Sequence, residues 1–436
     1  MNALNEQFIQ TSDRSVLRFI TAGSVDDGKS TLIGRLLFDS KTVFTDQLRA
    51  LEKSRHRRSE DSELNLAMLT DGLEDEREQG ITIDVAYRYF ATPRRKFIVA
   101  DAPGHEQYTR NMVTGASTAH AAVILVDASK AADGELLVQT RRHSTIAHLL
   151  GVRHIVVAIN KLDLLHWDAA VYERIRDAYA DLAQRLGIAT FQVIPVSALL
   201  GDNVVRHSSN TPWYEGPTLL EHLENLDTDA DLASGPLRFS VQWVARHNGQ
   251  TADGLRGYAG QVFSGTLRAG DRIVAQPSGV PATVKELLTF EGPVQEAWAG
   301  TPVTVVFDED IDVSRGDWLT HAEHAPLVGR QFDADLCWLG SQPLNPARKY
   351  LIKHGSRTSS AKIRKVHTRR DLQQLVELPA GEEALSMNDI GRVSISVRDE
   401  LSVDSYEALP ATGAFILIDE TTHLTVAGGL IRGASA

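Results

Sequence analysis

The 436-residue chain reads as an α/β domain, built on a mostly parallel sheet with helices on both faces, followed by two small all-β barrel domains. Three observations predict this. Short apolar strands alternate with helical stretches from Leu17 to about Leu226, the grammar of a sheet covered on both sides. A glycine-flanked turn, Gly23 to Ser30, joins the first strand to the first helix. Beyond Asp227 the helical periodicity stops, and β-type runs are broken at intervals of roughly ten residues, the spacing of small barrels.

The elements follow in order. Leu17 to Ala22 is the first strand, and a helix runs from Lys29 through Thr31, Leu32, Ile33, Leu36 and Leu37. Between them, Gly23-Ser24-Val25-Asp26-Asp27-Gly28-Lys29-Ser30 matches G-x-x-x-x-G-K-[ST] in the strand-turn-helix setting that a phosphate-binding loop (P-loop) requires. Gly23 and Gly28 let the backbone curl so that successive N–H groups, through Thr31, face phosphate oxygens, and the helix adds the positive end of its dipole. Lys29 is expected to reach the β- and γ-phosphates, and the Ser30 hydroxyl to bind Mg²⁺.

Further strands are expected at Ile83 to Phe90, Phe97 to Ala100, Ala121 to Asp127, Ile155 to Asn160 and Phe191 to Val196. Val171, Ile175, Tyr179, Leu182 and Leu186 recur at helical spacing, with Gly187 as the stop. The basic run Lys53 to Arg58 reads as a solvated face. Around Asp227 to Gly235 the composition turns acidic and small, and a second break falls near His321 to Leu327, so the expected domains are residues 1–232, 233–326 and 327–436. Turns at Ser264-Gly265, Ala269-Gly270-Asp271, Pro277-Ser278-Gly279, Ala299-Gly300 and Arg315-Gly316-Asp317 punctuate the first barrel. Val393 to Val397 and Phe415 to Ile418 are strands of the second.

A formal net charge of −12, from 57 acidic and 45 basic residues, argues against a large nucleic-acid surface, and no nucleic-acid partner is expected. The one cysteine, Cys337, has no internal disulfide partner and reads as a small core residue. Met1 to Arg14 lacks the apolar core of a signal peptide, and no run approaches the roughly 18 apolar residues of a membrane span. The expected setting is the reducing cytoplasm, away from membranes.

The residues at the strand ends choose the nucleotide. Strand Phe97 to Ala100 delivers Asp101-Ala102-Pro103-Gly104, in which the carboxylate can hold Mg²⁺ and the Gly104 N–H can bond the γ-phosphate. Upstream, Arg77-Glu78-Gln79-Gly80-Ile81-Thr82 offers the Thr82 hydroxyl on a segment that can close onto the metal only while a γ-phosphate is present. Asn160-Lys161-Leu162-Asp163 ends another strand. A carboxylate at Asp163 accepts from guanine N1–H and the 2-amino group, a donor pair that adenine lacks, and such bidentate pairing discriminates by about 1–3 kcal/mol. Asn160 is expected to shape the base pocket, the Lys161 stem to cover the ring face, and Ser197-Ala198-Leu199 to offer backbone N–H groups to guanine O6. GTP is therefore the expected nucleotide, with Mg²⁺. His105, one residue after a γ-phosphate ligand, can reach the in-line water as the catalytic residue, with Val25 and Ile81 as a hydrophobic gate on its route.

This order of motifs, with Gln139-Thr140-Arg141-Arg142-His143 between the second and third strand-end signatures, resembles the translation-factor GTPases, whose P-loop GTPase domain precedes two barrels. One branch is the better match. Asp26-Asp27 in the loop, Leu32 to Asp39, Glu76 to Phe90, Gly104 to Met112, Trp213 to Leu220, Arg256 to Gly260 and Thr412 to Ile416 resemble the GTPase large subunit of bacterial sulfate adenylyltransferase, over essentially the whole chain. The resemblance implies a small catalytic partner that joins ATP and sulfate into adenosine 5'-phosphosulfate and pyrophosphate, with GTP hydrolysis here as the driving step. Two departures stand out. Ala102 takes the place of the family's usual threonine, and Ser129 to Val138 is longer than the usual connection. Some relatives carry a fused kinase for adenosine phosphosulfate. No second phosphate loop occurs here, so that activity is expected to reside elsewhere.

The rival reading is an elongation factor delivering aminoacyl-tRNA, whose signature has histidine where Asp27 stands. Lys353, Arg357, Lys362, Arg364, Lys365, Arg369 and Arg370 form a basic stretch that strand alternation is expected to split between two faces. A stand-alone signalling GTPase does not explain the two barrels.

Overall fold

The computed structural model describes residues 16–40, 66, 84–105, 108–227, 232–246, 256–372, 374–380 and 384–434. Lys53 to Arg58, Ile81 and Thr82 lie outside the described residues. The chain forms two compact units, Met1–Thr228 with Leu372–Leu375, and Asp229–Asp371 with Val376–Ala436.

In the first unit, β1 (Val16–Ala22), β2 (Ala86–Ala91), β3 (Lys96–Asp101), β4 (Ala121–Asp127), β5 (His154–Asn160) and β6 (Phe191–Pro195) form one sheet in the order β2-β3-β1-β4-β5-β6. All neighbours pair in parallel except β2, which runs antiparallel to β3 at the edge. β4 is buried at every position, as a strand covered on both faces must be. The edge strand β2 instead leaves Tyr89 exposed. It begins at Ala86, three residues later than its sequence suggests, after Asp84, whose carboxylate accepts the Val85 N–H that a ladder would otherwise use.

Five helices accompany the sheet among the described residues: α1 (Lys29–Asp39), α2 (Thr109–Ala116), α3 (Val138–Leu149), α4 (Ala169–Leu186) and α5 (Leu219–Asn225). α1 buries Leu32, Ile33, Leu36 and Leu37 on one stripe. α4 is the helix expected from its periodicity: the Asp168 carboxylate accepts from Ala170 N–H at 2.8 Å at its start, and Gly187, at φ 79°, supplies the left-handed residue that ends it. α5 opens on a reciprocal Thr218–Glu221 capping box. Its C-terminal carbonyls are closed by the buried Arg95 guanidinium, which donates to Leu223 O at 3.2 Å and to Leu226 O. Because β1 lies between β3 and β4, the winding direction changes at its C-terminal end. Open sheets place ligands in that crevice.

The second unit holds two closed antiparallel barrels. The first is β7 (Arg238–Arg246), β8 (Arg256–Ser264), β10 (Arg272–Gln276), β11 (Val280–Thr289), β14 (Pro302–Phe307) and β15 (Trp318–Thr320), in the order β10-β15-β7-β8-β14-β11 and closed by β10–β11. Strand β12 (Gly292–Val294) extends it, and β9 (Thr266–Arg268) pairs with β13 (Glu296–Trp298). The second barrel is β16 (Leu327–Trp338), β17 (Tyr350–His354), β18 (Arg357–Asp371), β20 (Ile390–Val403), β21 (Ala414–Asp419) and β22 (Thr425–Ala434), closed by β17–β18 and extended by β19 (Val376–Pro379). Each has its own core, around Phe239, Tyr258 and Val305 in one and Phe332, Trp338 and Phe415 in the other. Arg238 of the first barrel grips Asp404 of the second with two hydrogen bonds of 2.8 Å. Burial would raise the Asp404 carboxyl, but the bonds from Arg238 and Thr412 outweigh it and hold it low. Cys337 is set among these strands, and burial pushes its thiol up to about 12.

One expectation about the second barrel needs correcting. Alternation along β18 was to divide its cations between two faces, yet Lys362, Arg364 and Lys365 are all exposed. The pairing register of β18 against β20 shifts between Ile363 and Lys365, and this bulge returns Lys365 to the solvent side. Further along, Arg369 and Arg370 pair with Asp389 and Glu377. No helix among the described residues is long and apolar enough to cross a membrane.

Candidate nucleotide site

The loop after β1 is held open by its own side chains. Asp26 adopts φ 64°, an uncommon left-handed conformation for a residue with a Cβ, and Asp27 Oδ2 accepts from Ser24 N–H at 2.6 Å. Gly28, at φ 94°, precedes α1 with no side chain capping the helix, which leaves the first-turn N–H groups of Lys29, Ser30 and Thr31 facing the loop. A Cβ on Gly28 would run into Asn160 Nδ2. Lys29 is 7% exposed, and its Nζ donates to Gly23 O at 3.1 Å and Ser24 O at 2.7 Å. Burial lowers its pKa against the opposing pull of Asp101, Asp27 and Asp26. An ammonium held this way can exchange carbonyl oxygens for phosphate oxygens without changing its position in the loop.

Asp101, at the end of β3, is 2% exposed. Its Oδ1 accepts from the Thr21 hydroxyl at 3.2 Å and its Oδ2 from the Ser30 hydroxyl at 3.1 Å. Ser30 and Asp101 thus converge as two hard oxygen donors. Among the described residues no cluster of three or more His, Cys, Asp or Glu side chains forms, so this is no all-protein metal cage. A donor set of one hydroxyl and one carboxylate, completed by phosphate and water, suits Mg²⁺. Gly104 sits so close to the loop that a Cβ there would lie 2.7 Å from Lys29 Nζ and 2.8 Å from Val25 N. His105 follows, half-buried, with its ring edge-on to Tyr108 at 6.4 Å. Val25 is half-buried in the loop, and its expected gate partner Ile81, like the metal candidate Thr82, falls outside the described residues.

On the base side, Asn160 is 3% exposed and braces two loops: Nδ2 donates to Asp27 O at 2.8 Å, and Oδ1 accepts from Ala198 N–H at 2.9 Å. That Ala198 N–H, expected to face guanine O6, is here engaged by Asn160. Lys161 takes φ 64°, and its Nζ donates to Asp127 Oδ2 at 2.8 Å, which fixes the stem. Asp163 is half-buried in the 3₁₀ turn Leu162–Leu165. The Ser197 hydroxyl accepts from Leu200 N–H at 3.2 Å, and Arg35 of α1 donates to Ala198 O at 3.4 Å and to Leu199 O. The structure therefore gathers the described loop residues Gly23 to Thr31, Asp101, Gly104, Asn160, Lys161 and Ser197 to Leu199 at the C-terminal edge of one sheet.

Residues 14–229 match the Elongation factor Tu GTP binding domain, and residues 331–432 match the GTP-eEF1A C-terminal domain-like family. The sulfate adenylyltransferase subunit 1 of Aeromonas hydrophila is 47% identical over 98% of this chain and 90% of its own length. The chain belongs to the sulfate adenylyltransferase subunit 1 family. The family member from Chromobacterium violaceum is also 47% identical, over 99% of this chain and 88% of its own. The bifunctional enzyme CysN/CysC of Mycobacterium tuberculosis is 49% identical over 97% of this chain but only 68% of its own length. Subunit 1 implies a partner subunit, and the GTP-binding domain makes this member of the family a GTP-binding chain.

Reading the sequence of this family member missed three groups at the site. Asp127 reads in the sequence only as a strand end, yet it is 1% exposed and accepts from Lys161 and from Ser129 N–H at 2.9 Å. Burial would raise its carboxyl, but the Lys161 and Ser129 bonds prevail and lower it. A charge closing the otherwise apolar run Ala121 to Val126, in register with Asn160, was the available signal. Lys130 reaches the phosphate loop from the connection to which no role had been given. His143 is 2% exposed, and burial first, then Lys29 and Arg142, lowers its pKa to about 3.

Proposed function

We propose that this chain is the GTP-hydrolysing member of a two-chain sulfate adenylyltransferase. A smaller catalytic subunit forms adenosine 5'-phosphosulfate and pyrophosphate from ATP and sulfate, and GTP hydrolysis here drives that reaction for sulfate assimilation in the cytoplasm. The coupling has a chemical reason. Sulfate is a weak nucleophile and the phosphate–sulfate anhydride is high in energy, so synthesis runs uphill unless tied to another reaction. The observation that carries this reading is the convergence of Lys29, Ser30, Asp101 and Asn160 at one sheet edge in a chain that matches its relatives across both barrels.

In this reading the N–H groups of Gly23 to Thr31, together with Gly104, hold the phosphates. Lys29 turns from Gly23 O and Ser24 O onto the β- and γ-oxygens. Ser30, Asp101 and Thr82 hold Mg²⁺, which when bound neutralises charge on the β- and γ-phosphates. Asp163 reads guanine, Lys161 covers the ring, and Ser197 to Leu199 close the O6 side, with Asn160 keeping the base and phosphate loops at fixed separation. His105 positions the attacking water, gated by Val25 and Ile81. Withdrawal of the Thr82 segment once the γ-phosphate leaves is the movement passed to the partner.

The test is synthesis of adenosine 5'-phosphosulfate from labelled sulfate and ATP by this chain with its candidate small subunit, with and without GTP. Synthesis that rises with GTP, alongside phosphate release from GTP, is expected. A folded complex indifferent to GTP would overturn the coupling and make aminoacyl-tRNA binding the next assay.

A further inference from the structure

Lys130 lies in the Ser129 to Val138 connection, three residues beyond Asp127 at the end of β4. Its Nζ donates to the Val25 carbonyl at 3.1 Å and stands 3.5 Å from Asp27 Oδ1 and 3.7 Å from Asp127 Oδ2. The two carboxylates belong to different elements, the loop after β1 and the end of β4, and are both inaccessible, at 0% and 1%, whereas the lysine side chain is 38% exposed. Each carboxylate has a further partner: Ser24 N–H on Asp27 Oδ2 at 2.6 Å, and Lys161 Nζ at 2.8 Å on the same Asp127 Oδ2 that Lys130 approaches. The result is one continuous chain of contacts, Ser24–Asp27–Lys130–Asp127–Lys161. It runs from the start of the phosphate loop to the lysine expected over the guanine ring.

A phosphate-binding loop that carries a buried carboxylate places negative charge beside its own ligand. Lys29, the strongest opposing charge on Asp27, divides its pull between that carboxylate and the phosphates once its ammonium turns to them. Lys130 stays on Asp27, its ammonium also donating to the Val25 carbonyl of the same loop. Asn160, opposite Asp127 in the sheet, ties the Asp27 carbonyl to the same strand end, and Lys130 is the link between the two carboxylates themselves.

We propose that Lys130 is a positioning residue for guanine nucleotides, clamping the Val25–Asp27 turn to the Asp127–Lys161 pair so that the phosphate and base ends of the site are set as one piece. This rests on the guanine-nucleotide reading of the site. It gives the unexplained connection a function: its first residues deliver a cation across the loop.

The experiment is titration of the full chain with a fluorescent GDP analogue. Lys130→Met keeps the stem and removes the charge, and its affinity should fall about tenfold or more, whereas Lys130→Arg should stay within about threefold of the parent. Asp127→Asn should weaken binding similarly, and the double variant should be no weaker than the worse single one, as for members of one network. Unfolding temperatures of the nucleotide-free variants check that the fold is kept. A Lys130→Met protein that binds within about twofold of the parent, or losses that multiply in the double variant, would overturn the clamp. A parent chain that binds no GDP analogue would instead remove the nucleotide-site reading, and the clamp with it.

Discussion

Asn160 holds the Asp27 carbonyl at 2.8 Å through Nδ2 while its Oδ1 takes the Ala198 N–H at 2.9 Å. One buried amide therefore sets the distance between the phosphate loop and the loop expected around the base. Asn160→Ala leaves a donor and an acceptor unpaired at a residue 3% exposed, and each costs about 1–3 kcal/mol. Affinity for both GTP and GDP should fall by a factor on the order of a hundred or more, read by nucleotide titration. Equal affinities would show that the loops hold their spacing without it.

Asp163 sits half-buried at the start of a turn whose preceding residue, Lys161, is locked to Asp127, so its carboxylate has a defined place. Asp163→Asn should trade GTP for xanthosine triphosphate, because the amide now offers a donor where xanthine presents an oxygen. A shift of about 1–3 kcal/mol in the ratio of the two affinities is expected. Unchanged preference would place base recognition elsewhere.

His105 lies one residue beyond Gly104, whose Cα approaches Lys29 and Val25 too closely for any side chain. His105→Ala should bind GTP with nearly the parent's affinity and hydrolyse it about a hundredfold more slowly or worse, in single-turnover phosphate release. Parent-like turnover would sink the assignment of the water-positioning role.

These assignments were legible because each motif sits at the carboxyl end of a strand, and strands such as Ala121 to Asp127 declare themselves by unbroken apolar runs. The helix ending at Gly187 was equally plain, since periodicity and a left-handed stop agree. Other features depend on what meets in space. Asp127 and Lys161 are distant in sequence and become neighbours only when β4 and β5 pair in register. Lys130 carries no motif, and its meaning comes from the loop it crosses. The exposed side of β18 is hidden for a related reason: a one-residue register shift after Ile363 turns the next side chains over, a second after Val366 turns them again, and composition marks neither.

His143 closes the Gln139-Thr140-Arg141-Arg142-His143 motif inside α3, its Nδ1 buried with no hydrogen-bond partner among the described residues and its ring in the field of Lys29 and Arg142. Burial, the first cause, and these two cations, the second, depress its folded pKa from 6.5 to about 3. The unfolded chain therefore binds one more proton than the folded chain throughout that interval. Stability from keeping this ring neutral is fully present above pH 6.5 and declines on acidification toward pH 3, by up to about 1.4 kcal/mol per pH unit. The depressed carboxyls of Asp127, Asp335 and Asp404 act below their ordinary range, near pH 4, whereas Asp27 and Asp317, raised by burial, act above it and oppose the histidines, so the His143 contribution is read as the difference between parent and variant. His354 and His222 are lowered too, so they contribute alongside it. His143→Gln keeps a neutral polar side chain with nothing to protonate. Its unfolding free energy, measured on the nucleotide-free chain, should fall less steeply across that window than the parent's, by roughly one proton's slope. Superimposable pH profiles would mean that His143 gains its proton without unfolding, and that the ring reaches water more readily than its burial implies.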